Sequence, residues 1–533
     1  MRLRHELALC LPSTVGALAL FVGIAASSAG EPAIAPLTAS ELAARIDAHI
    51  DEVLIRKQIK PAAPADDAEF FRRLTLDLNG RIPTVAEARE FLADADPQKR
   101  RRAIESRLAD PLYVRHLTNT WRSLLLAQAN PQDVRYLAPK IETWLAHQLR
   151  RNVPYDVWVR ELLTTPLDVR PTSRLERFHD DTSAHAVAFF QANELKPENL
   201  AAATSRVFLG VNLDCAQCHN HPFADWKQQQ FWQLAAFYAG VGRVRPDNAF
   251  MAAPEMTDRR ELAVAGTTQI VQATFLDGTA PEWKSQSSPR VALAAWLTTP
   301  GNSYFARAAA NRVWAHLFGR GLVEPLDGLG GREAPSHPEL LDELAAQLVA
   351  HDFDLKFLLQ ALAQTEAYGR TSRATDPSHR DATNFARMPV RGITAEQVFD
   401  SLTTAVGYRE PTGQDSKNLS PRADLLLRFA SLDRPTETPT SITQALTLMN
   451  GRFIAEALDP EGSGTVAAVL TAPFLDEEGR IETLYLAALS RPPSVEELAE
   501  GRNFIQAATD DEPAAYADLF WALVNSGEFL LNH

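Results

Sequence analysis

Cysteine is almost absent from this chain. Its 533 residues hold 3, namely Cys10, Cys215 and Cys218. So few exclude a disulfide framework. Methionine is nearly as scarce, at 5. Positive charge is in deficit: 53 Lys and Arg stand against 67 Asp and Glu, a formal net charge of -14. No basic face stands out, which argues against nucleic acid as a partner. No G-x-S-x-G elbow, Walker loop or H-E-x-x-H occurs, so those routes to hydrolysis or phosphate binding lack their anchor residues. Beyond the N-terminus no stretch is apolar and long enough to span a bilayer.

The N-terminus reads as an export signal over residues 1–29. Arg2 and Arg4 form a positive start, Leu7 to Ala26 is nearly uncharged, and Ser27-Ser28-Ala29 offers a small-residue cleavage site before Gly30. The expected location is therefore periplasmic or secreted. Cys10 would leave with the signal, and the exported chain would keep only Cys215 and Cys218.

Those two carry the sharpest chemical pattern, Cys215-Ala216-Gln217-Cys218-His219. Haem c needs two thiols, one for each porphyrin vinyl group, and an imidazole for the iron. This spacing supplies all three, with His219 as the axial ligand. Met251 and Met256 are candidates for the opposite axial position. His221 is too near His219 to reach across a porphyrin and would cover the haem edge or bond a propionate. Other readings compete. Cys215, Cys218, His219 and His221 are enough donors for zinc, although adjacent ligands strain a tetrahedral site. A redox dithiol or a plain disulfide would use the same cysteines.

Apolar residues at the helical period dominate the rest, so the expected class is mainly α, a multi-helix two-domain protein. Helices are expected over 139–150, with Pro139 in the first turn, from Pro197 to a Gly210 cap, and over 226–238. Others follow over 289–299, 305–318, 338–350, 354–367, 394–406, 440–449, 478–490, 494–507 and 513–529. One small β element is expected near 262–278, with a strand over Thr268–Phe275 turning at Asp277-Gly278. Polar, Pro-rich breaks place a first domain at 36–242, a linker at 243–284 and a second domain at 285–530.

Several polar groups read as structural. Ser336 is the expected N-cap of a helix, with Pro338 and Glu339 following. Asp77 and Asn79 before Gly80 read as turn chemistry leading to an N-cap at Thr84. Arg312 is expected to be buried and paired with Glu324 or Asp327. Trp226, Phe231, Trp232, Phe237 and Tyr238 read as a core face rather than a haem wall.

The runs Leu195-Lys196-Pro197-Glu198-Asn199-Leu200, Ser205-Arg206-Val207-Phe208-Leu209-Gly210-Val211 and Cys215 to Phe223 resemble the planctomycete cytochrome-c-like domain of unknown function 1549. Arg73-Leu74-Thr75-Leu76-Asp77-Leu78-Asn79-Gly80 and Asn152-Val153-Pro154-Tyr155-Asp156 match it too. Asn311-Arg312-Val313-Trp314, Leu317 to Val323, Pro335 to Leu341 and Thr443 to Asn450 resemble its companion, domain 1553. The resemblance implies an exported protein of planctomycete-like bacteria with a cytochrome-like label and no assigned activity. Relatives often carry a further cytochrome-like domain, which this chain lacks. Two functions are thus expected in turn. One is a haem-binding, electron-transfer protein serving a periplasmic redox partner. The other is a metal-binding or scaffold protein, linked to polysaccharide handling, in which the Cys/His loop holds zinc or a disulfide.

Overall fold

A computed structural model of the chain describes residues 34–167, 185–245, 248–252, 255–283, 288–332, 334–408, 422, 425–426, 458–462, 464–508 and 511–533; within 243–252 only the backbone is described. The stretch read as an export signal and the helix expected over 440–449 lie outside the described residues.

Helix start signals in the sequence become working caps. Thr38 with Glu41, Thr84 with Glu87, Thr394 with Gln397 and Ser494 with Glu497 each form a reciprocal capping box. Each such cap stabilises its helix by about 1 kcal/mol. The fold is mainly α, as the periodicity implied. Helices span Pro289–Leu297, Phe305–Phe318, Pro338–Ala350, Ala395–Val406, Glu477–Leu489, Val495–Ala507 and Glu512–Val524, among others. Among the described residues the strands form three antiparallel pairs, Arg243–Arg245 with Asn248–Ala252, Glu261–Ala263 with Ile270–Gln272, and Arg391–Gly392 with Leu531–Asn532. The middle pair is the β element foreseen near 262–278. Its second strand is shorter than expected and pairs upstream rather than across Asp277-Gly278. No described helix is long and apolar enough to cross a membrane.

Two local readings need correction. The helix at 338 starts on Pro338 with His337 in the N-cap position, not Ser336. Proline takes the first helical position, so Ser336 sits one residue too early to reach the first-turn amides, and its hydroxyl lies 3.2 Å from His337 Nδ1. The helix expected from 139 begins earlier, at Pro131, and Pro139 is internal to Pro131–Arg150.

Residues Pro36–His533 form one unit with two apolar clusters. The larger runs from Leu42 to Met388, on both sides of 243–284. The smaller gathers the helices after residue 395 and takes Leu76 and Ile82 from the other end of the chain. Between the clusters lies helix Asp67–Asn79, buried at every residue from Glu69 to Asn79. A helix buried all round must satisfy its polar side chains inside the protein. Arg72 donates to the carbonyls of Ala488 at 3.2 Å and Phe529 at 2.9 Å. Arg73 donates to Tyr368 O at 2.6 Å and to Glu69 Oε1 at 2.7 Å.

Asp77, read from sequence as turn chemistry, is the hub of this helix. It lies within the last helical turn, and Gly80 rather than Asp77 makes the turn. The carboxylate accepts from Tyr368 Oη at 2.8 Å, from Asn532 Nδ2 at 2.6 Å and from Arg391 Nη2. Its carbonyl accepts from His316 Nε2 at 2.8 Å. Replacing Asp77 with Ala would strand these buried donors. Unfolding in urea should show a loss of roughly 3–5 kcal/mol, and an unchanged midpoint would refute the hub.

Three buried imidazoles give stability a pH dependence. Burial holds His116 and His316 below the ordinary histidine range. Burial, then Lys57, His49 and Arg56, lowers His337 from 6.5 to about 4. The unfolded chain binds these protons first, so stability is complete above pH 6.5 and is lost as pH falls toward 4. His337 alone accounts for at most about 3 kcal/mol. Urea midpoints measured from pH 7 down to 5 should fall, and less steeply in His337→Gln; a flat series would contradict this.

Candidate functional site

The loop that follows Gly210 is shaped by the helix before it. Helix Pro197–Thr204 widens into a π turn, Ser205–Leu209, which Gly210 ends at φ 63°. The left-handed backbone favours glycine here, and a Cβ would also meet Leu329 Cδ1 at 2.8 Å. A wide turn leaves main-chain carbonyls without their usual helical partner. Arg312 takes the carbonyls of Arg206 and Val207 at 3.3 and 3.4 Å. This corrects the expected pairing of Arg312 with Glu324 or Asp327: the guanidinium serves backbone. Burial lowers its pKa, while Tyr155 and Asp327 favour its charge.

A 3-10 turn, Asp214–Gln217, carries the cysteines, with Cys218 as its C-cap. Cys215 thus lies on the turn and Cys218 three residues on, at its end. Both thiols are free and exposed. Ala216 between them is buried and anchors the turn. The exposed His219 imidazole bonds through Nδ1 to the carbonyl of Asn220 at 2.8 Å. That places the proton on Nδ1 and the lone pair on Nε2, and Nε2 makes no hydrogen bond among the described residues.

Residues 220–228 close into a tight loop. His221 N donates to Trp226 O at 2.8 Å, and His221 Nδ1 accepts from Phe223 N at 3.2 Å. Phe223 stands out at the tip, 74% exposed. Helix Gln228–Ala235 follows, starting two residues later than the 226 that the sequence implied. It is held to the cysteine turn by side chains. Gln228 Nε2 donates to Cys218 O at 3.0 Å, and Trp232 Nε1 to Gln217 O at 3.0 Å. Phe231, Trp232, Phe237 and Tyr238 are buried, as a core face would be.

A second strip of chain, 325–331, braces the loop. Asn212 N donates to Asp327 O at 2.8 Å, and Leu329 N to Gly210 O at 2.8 Å. Asn212 Nδ2 reaches Asp327 Oδ2 at 3.1 Å. Trp226 lies over Gly330, where a Cβ would come within 3.0 Å of its ring. Arg206 pairs with Asp214 at 2.8 Å beside the turn.

The structure thus gathers Cys215, Cys218, His219 and His221 on one short loop. Met256 faces elsewhere: it lines a cavity of about 460 Å³ with Asp258, Arg259, Arg260, Glu261 and Gln272, none of them in that loop. The Met251 side chain lies outside the described residues. Among the described residues no group of three or more His, Cys, Asp or Glu is placed to hold a metal ion. Sequence reasoning missed Asn220, Gln228 and the 325–331 strip. The glycines at 328, 330 and 331 were the available signal, since they mark close backbone approach.

A model of PSCyt2, a protein of unknown function (DUF1549), matches residues 45–243, and one of PSD1, a protein of unknown function (DUF1553), matches residues 289–432. The order agrees with the resemblance read from the motifs. The cysteine loop falls in the first match and its brace in the second. No curated protein and no solved structure matches the chain.

The exposure of both thiols is directly measurable. In the folded full-length chain made in a host that attaches no haem, iodoacetamide should alkylate Cys215 and Cys218 at rates close to those in urea. Protection of either, read by peptide mass, would mean that the turn is covered.

Proposed function

We propose, from the match of residues 45–243 to the PSCyt2 model and 289–432 to the PSD1 model and from the loop itself, that the chain is an exported protein that binds haem c through Cys215 and Cys218, with His219 as axial ligand, and exchanges electrons with a periplasmic partner protein. The observation that supports this reading is the pair of free, exposed thiols three residues apart, one on a 3-10 turn and one at its C-cap. Thioether attachment needs two sulfurs on one side of the backbone with no other partner. The donor set fits the group: a soft pair of sulfurs and, directly after them, an imidazole whose Nε2 lone pair is unused. Export is supported by the charged and apolar segments of residues 1–29.

When bound, haem supplies one-electron exchange at iron. The protein's own part is positional. Ala216, Gln228 and Trp232 hold the turn, so the thiols stay at the surface while their backbone is fixed. The Asn220 carbonyl orients the imidazole. Arg206 and Asp214 place a compensated charge pair next to the turn. Any chemistry on a substrate would belong to the partner.

The test is expression of the full-length chain in a host that exports proteins and attaches haem c. A Soret band that survives denaturation is expected, and replacing both Cys215 and Cys218 by Ser should abolish it. His219→Ala should keep the covalent link yet change the axial-ligand spectrum. A purified chain with no covalent haem, or with stoichiometric zinc instead, would overturn the reading.

A further inference from the structure

An imidazole can hold its neutral proton on either ring nitrogen, and free imidazole side chains favour Nε2. At His219 the reverse is built in, because Nδ1 lies 2.8 Å from the Asn220 carbonyl. A carbonyl can only accept, so the proton must sit on Nδ1. The direction of that carbonyl is in turn fixed by its own side chain. Asn220 Oδ1 accepts from the backbone N–H of Gln228 at 3.0 Å. That amide is in the first turn of helix Gln228–Ala235, which has no side-chain N-cap bond from Lys227. Asn220 therefore meets an amide the helix leaves open and is tethered by it. Gln228 answers from the other side through its Nε2 to Cys218 O at 3.0 Å and Gln217 O at 3.3 Å.

We infer that Asn220 is the positioning residue of the His219 imidazole: by docking on the first turn of helix Gln228–Ala235 it sets the Nδ1–H tautomer and leaves Nε2 free to bind iron. The inference rests on reading the loop as a haem c site, but its first consequence concerns the haem-free chain. A hydrogen bond on the far nitrogen also makes a ligand imidazole more basic. Loss of the tether should therefore favour ferrous over ferric iron.

The experiment uses the full-length chain with 15N-labelled histidine, at alkaline pH where imidazole is neutral. In the haem-free chain His219 should show the Nδ1–H signature. Asn220→Ala should move it toward Nε2–H. Asn220→Asp, which keeps an acceptor for Gln228 N–H, should restore it. Gln228→Leu, which removes only the clamp on Cys218 and Gln217, should leave the tautomer in place. In the haem-loaded chain Asn220→Ala should retain covalent haem and raise the midpoint potential, with Asn220→Asp near the starting value. An unchanged tautomer in Asn220→Ala, or an equal change in Gln228→Leu, would overturn the positioning role. A chain that takes up no covalent haem would overturn the haem reading instead, and the tautomer measurement would still decide this one.

Discussion

A single buried carboxylate, that of Asp77, constrains most of what surrounds it. An ion taken out of water must find compensation within the protein, and breaking one partner leaves a charge stranded. Asp77 meets this demand with three side-chain donors, Tyr368, Arg391 and Asn532. Asn532 is 455 residues away along the chain. Arg391 and Asn532 belong to the small strand pair that closes the C-terminus. The same carboxylate thus fixes where the chain ends relative to a helix near its beginning. Leu76, its neighbour, is part of the smaller apolar cluster, while Leu74 and Leu78 belong to the larger one. The two clusters meet on this helix, and the acid pins the seam.

The cysteine loop obeys the opposite logic. Its chemical groups are exposed, and its backbone is what the protein satisfies. The carbonyls of Gln217, Cys218 and Asn220 and the amide of His221 all have partners. With the main chain spoken for, the thiols and the imidazole Nε2 have nothing left to bond within the loop. Held backbone with unengaged side chains is the arrangement that the proposed covalent attachment would use. The geometry can be kept while the reacting atoms remain open to it.

How far these features were legible depends on how local their causes are. Helices were read well where periodicity and caps agree, as at Phe305–Phe318 and Ala395–Val406. The Cys-X-X-Cys-His pattern was legible because its chemistry is contained in five adjacent residues. Asp77 was misread because Asp-Leu-Asn-Gly looks the same locally whether the acid faces water or a partner from another part of the chain. Arg312 was expected to pair with an acid because sequence shows charges and does not show which carbonyls a π turn leaves open. Asn220 and Gln228 carry no signature beyond polarity. Their roles arise when the loop folds back by eight residues onto the helix start.

One helix joins the buried hub to the exposed loop. Phe305–Phe318 presents Arg312 to carbonyls within the π turn and His316 to the Asp77 carbonyl. These two lie four apart, so they share a face one turn from each other. Immediately before Arg312, Asn311 exchanges both of its amide hydrogen bonds with Val323 at 3.0 Å. Val323 leads into the strip that carries Asp327, Leu329 and Gly330 to the cysteine loop. A displacement of this helix would therefore be felt at the π turn, at the brace and at the hub together. Packing interiors transmit small shifts because they have little free volume to absorb them. The helix belongs to the PSD1 region and the loop to the PSCyt2 region. In this chain the two regions do more than lie side by side. The second supplies the rigid member against which the first sets its thiols and its imidazole.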